Sequence, residues 1–289
     1  MYNKFIDRLL DNDPKKVLSK GSIRARKIIS PVLRFAIPFV TPNSKLKVLR
    51  RAKLPKQPVL FAPTHNFRED IEHTVVMAKR QAYVLNGSLT QLYRSIDGVT
   101  SWLAGVIPID RTKKESRTSA KKKVVYALEL GASVIMYPEG TWNKSPNQLM
   151  SGFFPGVYDV AKESGAMVVP IATYRNGKKA YGIMDEAFDI CAYDRETDIR
   201  VLRDKLATIR YEMMEKYGQA KRTDFPYGAE ADAYWKQYVD DLMAQVKYYD
   251  YDVELHTKYV DKTITTPEEA FAFLETMEVK KETAFLIRR

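Results

Sequence analysis

Short apolar runs and amphipathic stretches alternate along the middle of the chain. The apolar runs predict four strands, at 59–62, 103–109, 133–137 and 167–174. The stretches between them predict three helices, at 68–81, 116–130 and 156–164. Thr64 or Asn66 would cap the first helix, and Gly131 and Gly165 would end the other two. Because strands that alternate with helices favour parallel pairing, we predict an α/β fold with a mixed, partly parallel sheet flanked by helices.

The pattern changes after about residue 185. Amphipathic stretches at 198–217 and 231–248 predict two further helices, and Pro267 at the first helical position predicts that a third begins at 266–269. We therefore divide the chain into three parts. These are an N-terminal segment (1–56), a catalytic core (57–184) and a mainly helical C-terminal extension (185–289).

The N-terminal segment is basic and partly apolar. Residues 14–68 contain 14 Lys and Arg and no Asp or Glu, while the whole chain has a formal net charge of +11. The apolar run 28–40 is too short to span a bilayer and is interrupted by Pro31, Arg34 and Pro38. Such a basic amphipathic segment is expected to bind an anionic membrane surface. A solvated basic arm or a nucleic-acid-binding arm is the alternative, and the lack of a nucleic-acid-binding motif favours the membrane.

The first residues and the cysteine content bear on the compartment. The N-terminus has no signal-peptide pattern, so export is not expected. The single Cys191 excludes a disulfide within the chain and is expected to be a small buried apolar residue. These features favour a peripheral protein on the cytoplasmic side of a membrane.

The stretch PTHNFRED contains the first candidate chemistry, because it places His65 five residues before Asp70. On a regular helix this spacing would leave the two side chains roughly 140° apart. They can meet if His65 lies in the loop after a strand and Asp70 lies in the first helical turn. Asp70 would then accept the Nδ1 proton of His65 and leave Nε2 ready to take a proton.

The sequence offers no nucleophile to go with this base. It has no G-x-S-x-G stretch, and nothing around Cys191 suggests an activated thiol. A base without an enzyme nucleophile indicates direct activation of a substrate hydroxyl, as in the transfer of an acyl group to an alcohol.

A metal site is not predicted. The chain has three histidines, and His65 and His73 do not have the i, i+4 spacing of a helical zinc pair. His73 is expected to be structural or solvated.

Three further blocks follow His65 and Asp70 in order. They are GVIPIDR at 105–111, YPEGT at 137–141 and VVPI at 168–171. With these blocks, residues 55–175 resemble the glycerolipid acyltransferase family, which includes the 1-acyl-glycerol-3-phosphate acyltransferases. The joint match in order is specific, although no single block is.

The resemblance implies a role for each matching residue. His65 matches the general base and Asp70 the residue that orients it, so both are expected to be catalytic. Arg111 matches an arginine that binds the phosphate of the acceptor, which suits a planar and permanently charged guanidinium. Substrate binding is also implied for the other matching positions, which are Gly105, Asp110, Glu139, Gly140, Thr141 and Pro170.

The reaction implied by the resemblance moves a fatty acyl group from acyl-CoA or acyl carrier protein to a hydroxyl group. The acceptor would be a lysophospholipid or a glycerol-phosphate-type molecule, in phospholipid biosynthesis or remodelling. The donor is a thioester substrate, and the family uses no metal or redox cofactor. Expected partners are therefore membrane lipids and the acyl carrier, with no nucleic acid.

The third block departs from the family pattern at Trp142, where many members have an arginine. Lys144 does not reproduce the two-pronged grip of a guanidinium on phosphate, so the acceptor lipid is left open. Two alternatives remain. One is a non-catalytic membrane- or partner-binding protein on the same fold, and the other is a thioesterase-like hydrolase in which water replaces the alcohol.

Overall fold

The structure is a computed structural model that describes residues 7–41, 44–87, 89, 92, 96–111, 113–143, 149–218 and 229–244. In these residues the strands are β1 (Lys45–Arg51), β2 (Val59–Pro63), β3 (Ala82–Asn86), β4 (Val106–Pro108), β5 (Ser133–Ile135), β6 (Met167–Asn176) and β7 (Lys179–Met184). The helices are α1 (Pro14–Val17), α2 (Lys20–Val40), α3 (Asp70–Ala78), α4 (Ile96–Ala104), α5 (Lys114–Glu129), α6 (Gly156–Ser164), α7 (Arg195–Tyr217) and α8 (Ala229–Ala244).

The strands form one sheet in the order β1-β7-β6-β2-β5-β3-β4. From β6 to β4 every neighbouring pair is parallel. Strand β7 returns antiparallel to β6, and β1 lies parallel to β7 at the edge. The predicted α/β class with a mixed, partly parallel sheet flanked by helices is therefore confirmed.

The central strands are buried on both faces because helices cover both sides of the sheet. In β2, Leu60 and Ala62 join a core cluster that includes Leu202 of α7, while Phe61 joins a second cluster with Met77 of α3. This double burial explains why β2 reads as a continuous apolar run.

Three predicted boundaries are wrong by a few residues. The strand predicted at 103–109 begins only at Val106, because Leu103 belongs to α4 and Gly105 separates the two elements at φ +108°. The strand predicted at 133–137 ends at Ile135, and the strand predicted at 167–174 continues to Asn176. Helix α6 has the predicted bounds, and the glycine that follows it has φ +67°.

The helix predicted at 68–81 is shorter than expected. It begins at Asp70 and ends at Ala78, where Lys79 takes a left-handed conformation. Neither predicted cap is used, because the Thr64 hydroxyl accepts the backbone N–H of Thr173 and the Asn66 side chain faces the same strand.

Strands β1, β3 and β7 were not predicted from the sequence. Strand β1 lies inside the predicted N-terminal segment 1–56 and pairs with β7. It lacks an apolar run because it is an edge strand whose side chains are exposed or partly exposed. The three-part division of the chain stays a prediction.

Helix α2 continues through Pro31 and Pro38 without a break. Both prolines are exposed, and water can bind the carbonyl groups that lose a helical donor there. A capping box between Ser19 and Ser22 fixes the start of the helix. Among the described residues, no helix is long and apolar enough to cross a membrane.

The described part of the C-terminal extension is helical from Arg195 to Tyr217 and from Ala229 to Ala244. Helix α7 begins at Arg195, three residues before the prediction, because Asp194 caps it. Helix α8 covers most of the predicted helix 231–248, whereas residues 245–248 and the helix predicted at 266–269 lie outside the described residues. Cys191 is only partly buried, which corrects the prediction of a buried residue.

Candidate active site

Most of the predicted site residues lie at the carboxyl-terminal edge of the parallel strands. His65 follows β2, Arg111 follows β4 and Glu139 follows β5. Loops at this edge of a parallel sheet commonly form ligand sites. Gly105 precedes β4 and therefore lies at the opposite edge, and Pro170 lies within β6, paired with Ala62. The structure thus brings the first three blocks together without Gly105.

His65 and Asp70 meet across the junction between β2 and α3. Nδ1 of His65 is 3.0 Å from each carboxylate oxygen of Asp70. The Asp70 side chain is fully buried, and that of His65 is 15% exposed. Oδ2 of Asp70 also accepts the backbone N–H groups of Asn66 at 2.6 Å and Phe67 at 3.2 Å. The carboxylate therefore both orders the turn and orients the imidazole.

The partners of Asp70 define the tautomer of His65. An ionised carboxylate only accepts hydrogen bonds, so Nδ1 carries the proton and Nε2 keeps its lone pair. Within the described residues, Nε2 has no hydrogen-bond partner, and no serine, threonine or cysteine side chain hydrogen-bonds to His65.

Two aromatic rings border His65. The centre of the Tyr137 ring lies 4.3 Å from the centre of the imidazole, with an interplanar angle of 37°. The Trp142 ring meets the imidazole edge-on, with 5.9 Å between the ring centres. The Tyr137 hydroxyl donates to Thr74 at 3.2 Å, and the Thr74 hydroxyl donates to the backbone carbonyl of Asp70 at 2.8 Å. Burial, reinforced by the negative charge of Asp70, raises the pKa of Tyr137 well above its usual value, so this ring is a neutral wall.

Glu139 fastens the backbone of His65. Its Oε1 accepts the His65 N–H at 3.1 Å, and its Oε2 accepts the Ser151 N–H at 2.9 Å. The N–H of Asn143 donates in turn to the His65 carbonyl at 2.7 Å. Burial raises the pKa of Glu139, while the two backbone N–H groups and Arg210 oppose that rise. Both oxygens of Glu139 thus accept backbone N–H groups, and through His65 they support the His65–Asp70 pair.

Arg111 connects the second block to the third. Its Nη1 donates to the Gly140 carbonyl at 2.7 Å, and a Cβ on Gly87 would lie 2.8 Å from its Nε. Gly140 has φ +68°, and a Cβ there would lie 2.5 Å from the Phe154 ring. The neighbouring Asp110 forms an ion pair with Lys113 at 3.2 Å. The Arg111 side chain therefore lies against the backbone at Gly87, and the Phe154 ring lies against the backbone at Gly140. Thr141 is the next residue of the loop that contains Gly140.

The sequence did not predict the contacts between β6 and the turn that follows β2. Glu69 forms an ion pair with Arg175 at 3.2 Å, and Thr173 binds Thr64 through its backbone N–H at 3.0 Å. No motif marks Arg175 or Thr173. The pairing of β2 with β6 brings them beside the turn that contains His65.

Comparison with known proteins identifies the segment that holds this site. Residues 45–174 match the sequence profile of the family described as Acyltransferase. This segment is similar to the acyltransferase domain of that family. The match includes His65, Asp70 and the other three blocks, and it confirms the predicted resemblance to this family.

Curated relatives match about half of this chain over part of their own length. A chloroplastic 1-acyl-sn-glycerol-3-phosphate acyltransferase of Arabidopsis thaliana is 27% identical over 141 residues, covering 48% of this chain and 38% of the relative. A 1-acyl-sn-glycerol-3-phosphate acyltransferase of Chlamydomonas reinhardtii is 28% identical over 145 residues, covering 50% and 42%. The chain therefore spans about two fifths of the length of these relatives.

A solved structure shares the fold. The 1-acyl-sn-glycerophosphate acyltransferase PlsC of Thermotoga maritima superposes with a TM-score of 0.51 and 16% identity, covering 73% of this chain and 88% of that one. At this identity the likeness concerns the fold alone.

Proposed function

We propose that the protein is an O-acyltransferase that moves a fatty acyl group from a thioester, acyl-CoA or acyl carrier protein, to a substrate hydroxyl. The acceptor is a lysophospholipid or a glycerol-phosphate-type molecule. The observation that carries this proposal is the His65–Asp70 pair, with Nδ1 at 3.0 Å from both carboxylate oxygens. The names of the relatives, all 1-acyl-sn-glycerol-3-phosphate acyltransferases, support this acceptor class.

In the proposed reaction, Nε2 of His65 removes the proton from the acceptor hydroxyl as its oxygen attacks the thioester carbonyl. Asp70 stabilises the imidazolium that forms. The tetrahedral intermediate collapses by breaking the carbon–sulfur bond, and the departing sulfur takes the proton from Nε2. The products are an ester and a free thiol, and the enzyme returns to its starting state without an acyl-enzyme.

The second and third blocks would hold the acceptor near Nε2. Arg111 supplies the guanidinium for a phosphate group, within a loop that also contains Asp110, Gly140 and Thr141. Trp142 lies beside His65 and offers one indole N–H and no charge. Phosphate binding would therefore differ from that in a site with a second arginine. We therefore include several lysolipid headgroups in the test. The roles proposed for Gly105 and Pro170 remain predictions.

We place this reaction at a membrane surface, with α2 as the docking element. Ile28, Val32, Phe35 and Phe39 recur at helical spacing, and each is between 67% and 77% exposed. The opposite face of α2 packs on the protein through Ile23 and Ser30. An exposed apolar stripe on a basic helix fits the interface of an anionic lipid layer, on the cytoplasmic side in our proposal.

The test measures thiol release and lipid products with one acyl donor and a panel of lysolipids. Thiol release that requires an acceptor is expected. His65→Ala should lower turnover roughly 10²- to 10⁴-fold, because the general base is lost. Asp70→Asn should lower it at least about tenfold, because an amide N–H facing Nδ1 favours the wrong tautomer. His73→Asn is the matched control and should retain turnover per folded molecule.

Each alternative predicts a different result. Thiol release that is independent of the acceptor would indicate a thioesterase. Vesicle binding without transfer to any lysolipid would indicate a non-catalytic protein. Near-normal turnover of His65→Ala would contradict the mechanism.

A further inference from the structure

The catalytic turn, defined as residues 64–69, is held from two sides. The third block holds one side through Glu139 and Asn143, which bind the backbone of His65. The other side lies against β6. Because β6 is longer than β2, it continues from Ile171, the partner of Pro63, as far as Asn176. The last residues of β6 therefore extend alongside the turn.

Thr173 and Arg175 make the contacts on this second side. The Thr173 N–H donates to the Thr64 hydroxyl at 3.0 Å, and the Asn66 side chain donates to the Thr173 carbonyl at 3.4 Å. Arg175 places its guanidinium 3.2 Å from the Glu69 carboxylate and 5.9 Å from the centre of the Phe67 ring. Four of the six residues in the turn are thus attached to two residues of β6.

The ion pair between Glu69 and Arg175 is well shielded from solvent. The Glu69 side chain is 8% exposed and that of Arg175 is 26% exposed. Arg175 is itself fixed by a hydrogen bond from Nε to the Gly177 carbonyl at 2.9 Å. Breaking a shielded pair leaves an uncompensated charge, which costs far more than breaking a surface pair.

Glu69 directly precedes Asp70 in the sequence. A change in the charge balance at Glu69 is therefore expected to act on the His65–Asp70 pair. A bare carboxylate beside Asp70 would add negative potential around His65 and favour the protonated imidazole, which cannot act as a base. Among the contacts of the described residues, Asp70, Glu139 and neutral Tyr137 are the ionisable groups that touch His65, and Arg210 acts on Glu139. Arg175 places a positive charge on the β6 side of the turn.

We propose that Arg175 is a positioning residue for the acyl transfer: through Glu69 it holds the catalytic turn against β6 and cancels the negative charge beside Asp70. This role rests on the proposed function of His65 as the base. Arg175 acts through Glu69 and the turn, and it does not touch the reacting atoms.

The test follows the ring signals of His65 by NMR as a function of pH, together with kcat and KM. In Arg175→Gln the midpoint of the His65 titration should move up by about half a pH unit, because Glu69 is left unpaired. kcat at neutral pH should fall about tenfold, at most about threefold from the shifted midpoint and the rest from a turn held less firmly, with KM for the acyl donor nearly unchanged. In the double variant Glu69→Gln with Arg175→Gln, the midpoint should return to the parental value.

Arg50→Gln is the matched control, because Arg50 pairs with Glu212 at 3.1 Å on the surface, with side chains 47% and 50% exposed. It should move neither the midpoint nor kcat. Should Arg175→Gln not fold, Glu69→Gln alone should lower the midpoint, because Arg175 then acts unopposed.

An unmoved His65 midpoint in the folded Arg175→Gln or Glu69→Gln variant would overturn the proposal, even if stability or turnover falls. The titration needs no activity. A missing acyl transfer with a shifted midpoint would therefore refute the proposed function while supporting the electrostatic role of Arg175.

Discussion

At the residue scale, two histidines near the active site have opposite environments. His65 is partly exposed and paired with Asp70. His73 lies on the same helix as Asp70, is buried, and has Nε2 at 2.7 Å from the Ser44 hydroxyl. Burial lowers the pKa of His73 from 6.5 to about 4, so it is neutral at pH 7. His73 is therefore a packed hydrogen-bonding residue, and His65 is the one suited to proton transfer.

The lowered pKa of His73 makes folding stability depend on pH. Between pH 6.5 and 4 the unfolded chain binds a proton at His73 more readily than the folded protein does. The contribution of His73 to stability is therefore complete above pH 6.5. It decreases as the pH falls towards 4, by about 3 kcal/mol in the free energy of unfolding.

Urea unfolding at several pH values tests this prediction, with His73→Asn as the comparison. The variant should lose less stability across this pH window than the parent, whatever its stability at pH 7. Equal pH dependence in both proteins would show that His73 does not remain neutral in the fold.

At the scale of elements, the sequence predicted what depends on local pattern and missed what depends on strand pairing. Strand β2 and helix α6 carry their own signals, an apolar run and a terminal glycine, and the junction between β2 and α3 was sufficient to predict how His65 meets Asp70. Strand β1 has no such signal, because it is an edge strand with exposed or partly exposed side chains, and its partner β7 lies more than 130 residues away in the sequence. The Glu69–Arg175 pair was not predicted because its two residues are also far apart in the sequence.

In the loop after β5, Gly140 is required for its backbone conformation and for the space that it leaves to a neighbouring side chain. Gly140 and Gly165 have nearly the same backbone conformation, at φ +68° and +67°. A Cβ on Gly140 would lie 2.5 Å from the Phe154 ring, whereas a Cβ on Gly165 would meet nothing within 4 Å. The two glycines therefore separate backbone strain from steric conflict.

We expect Gly165→Ala to lower the free energy of unfolding by about 1 kcal/mol, from backbone strain alone. Gly140→Ala should cost about 2 kcal/mol or more, because the Phe154 ring must also move. The turnover of the Gly140→Ala variant should also fall, since the Gly140 carbonyl accepts a hydrogen bond from Arg111. Thermal unfolding and the acyl-transfer assay measure both effects, and equal losses for the two variants would contradict a special role for Gly140.

At the scale of the whole molecule, charge and exposed apolar surface coincide in the N-terminal part of the chain. The basic stretch 14–68 includes helix α2, whose stripe of Ile28, Val32, Phe35 and Phe39 faces solvent. In our proposal this exposed apolar stripe is the surface that contacts the membrane. The surrounding lysines and arginines would favour an anionic one, which agrees with the proposal that the substrates are lipids.

Membrane binding through this stripe leads to a specific expectation. The double variant Phe35→Ser with Phe39→Ser should bind vesicles containing anionic lipid at least about tenfold more weakly, because burying a Phe side chain contributes roughly 1.5–3 kcal/mol. Tyr211→Ser is the matched control, since Tyr211 is an exposed aromatic residue on α7, and it should bind like the parent. Binding of the parent should also weaken as salt is added, because salt screens the basic residues from the headgroups. Co-sedimentation with vesicles measures all three effects. Binding that is insensitive to salt and to the Phe substitutions would place the membrane contact elsewhere on the protein.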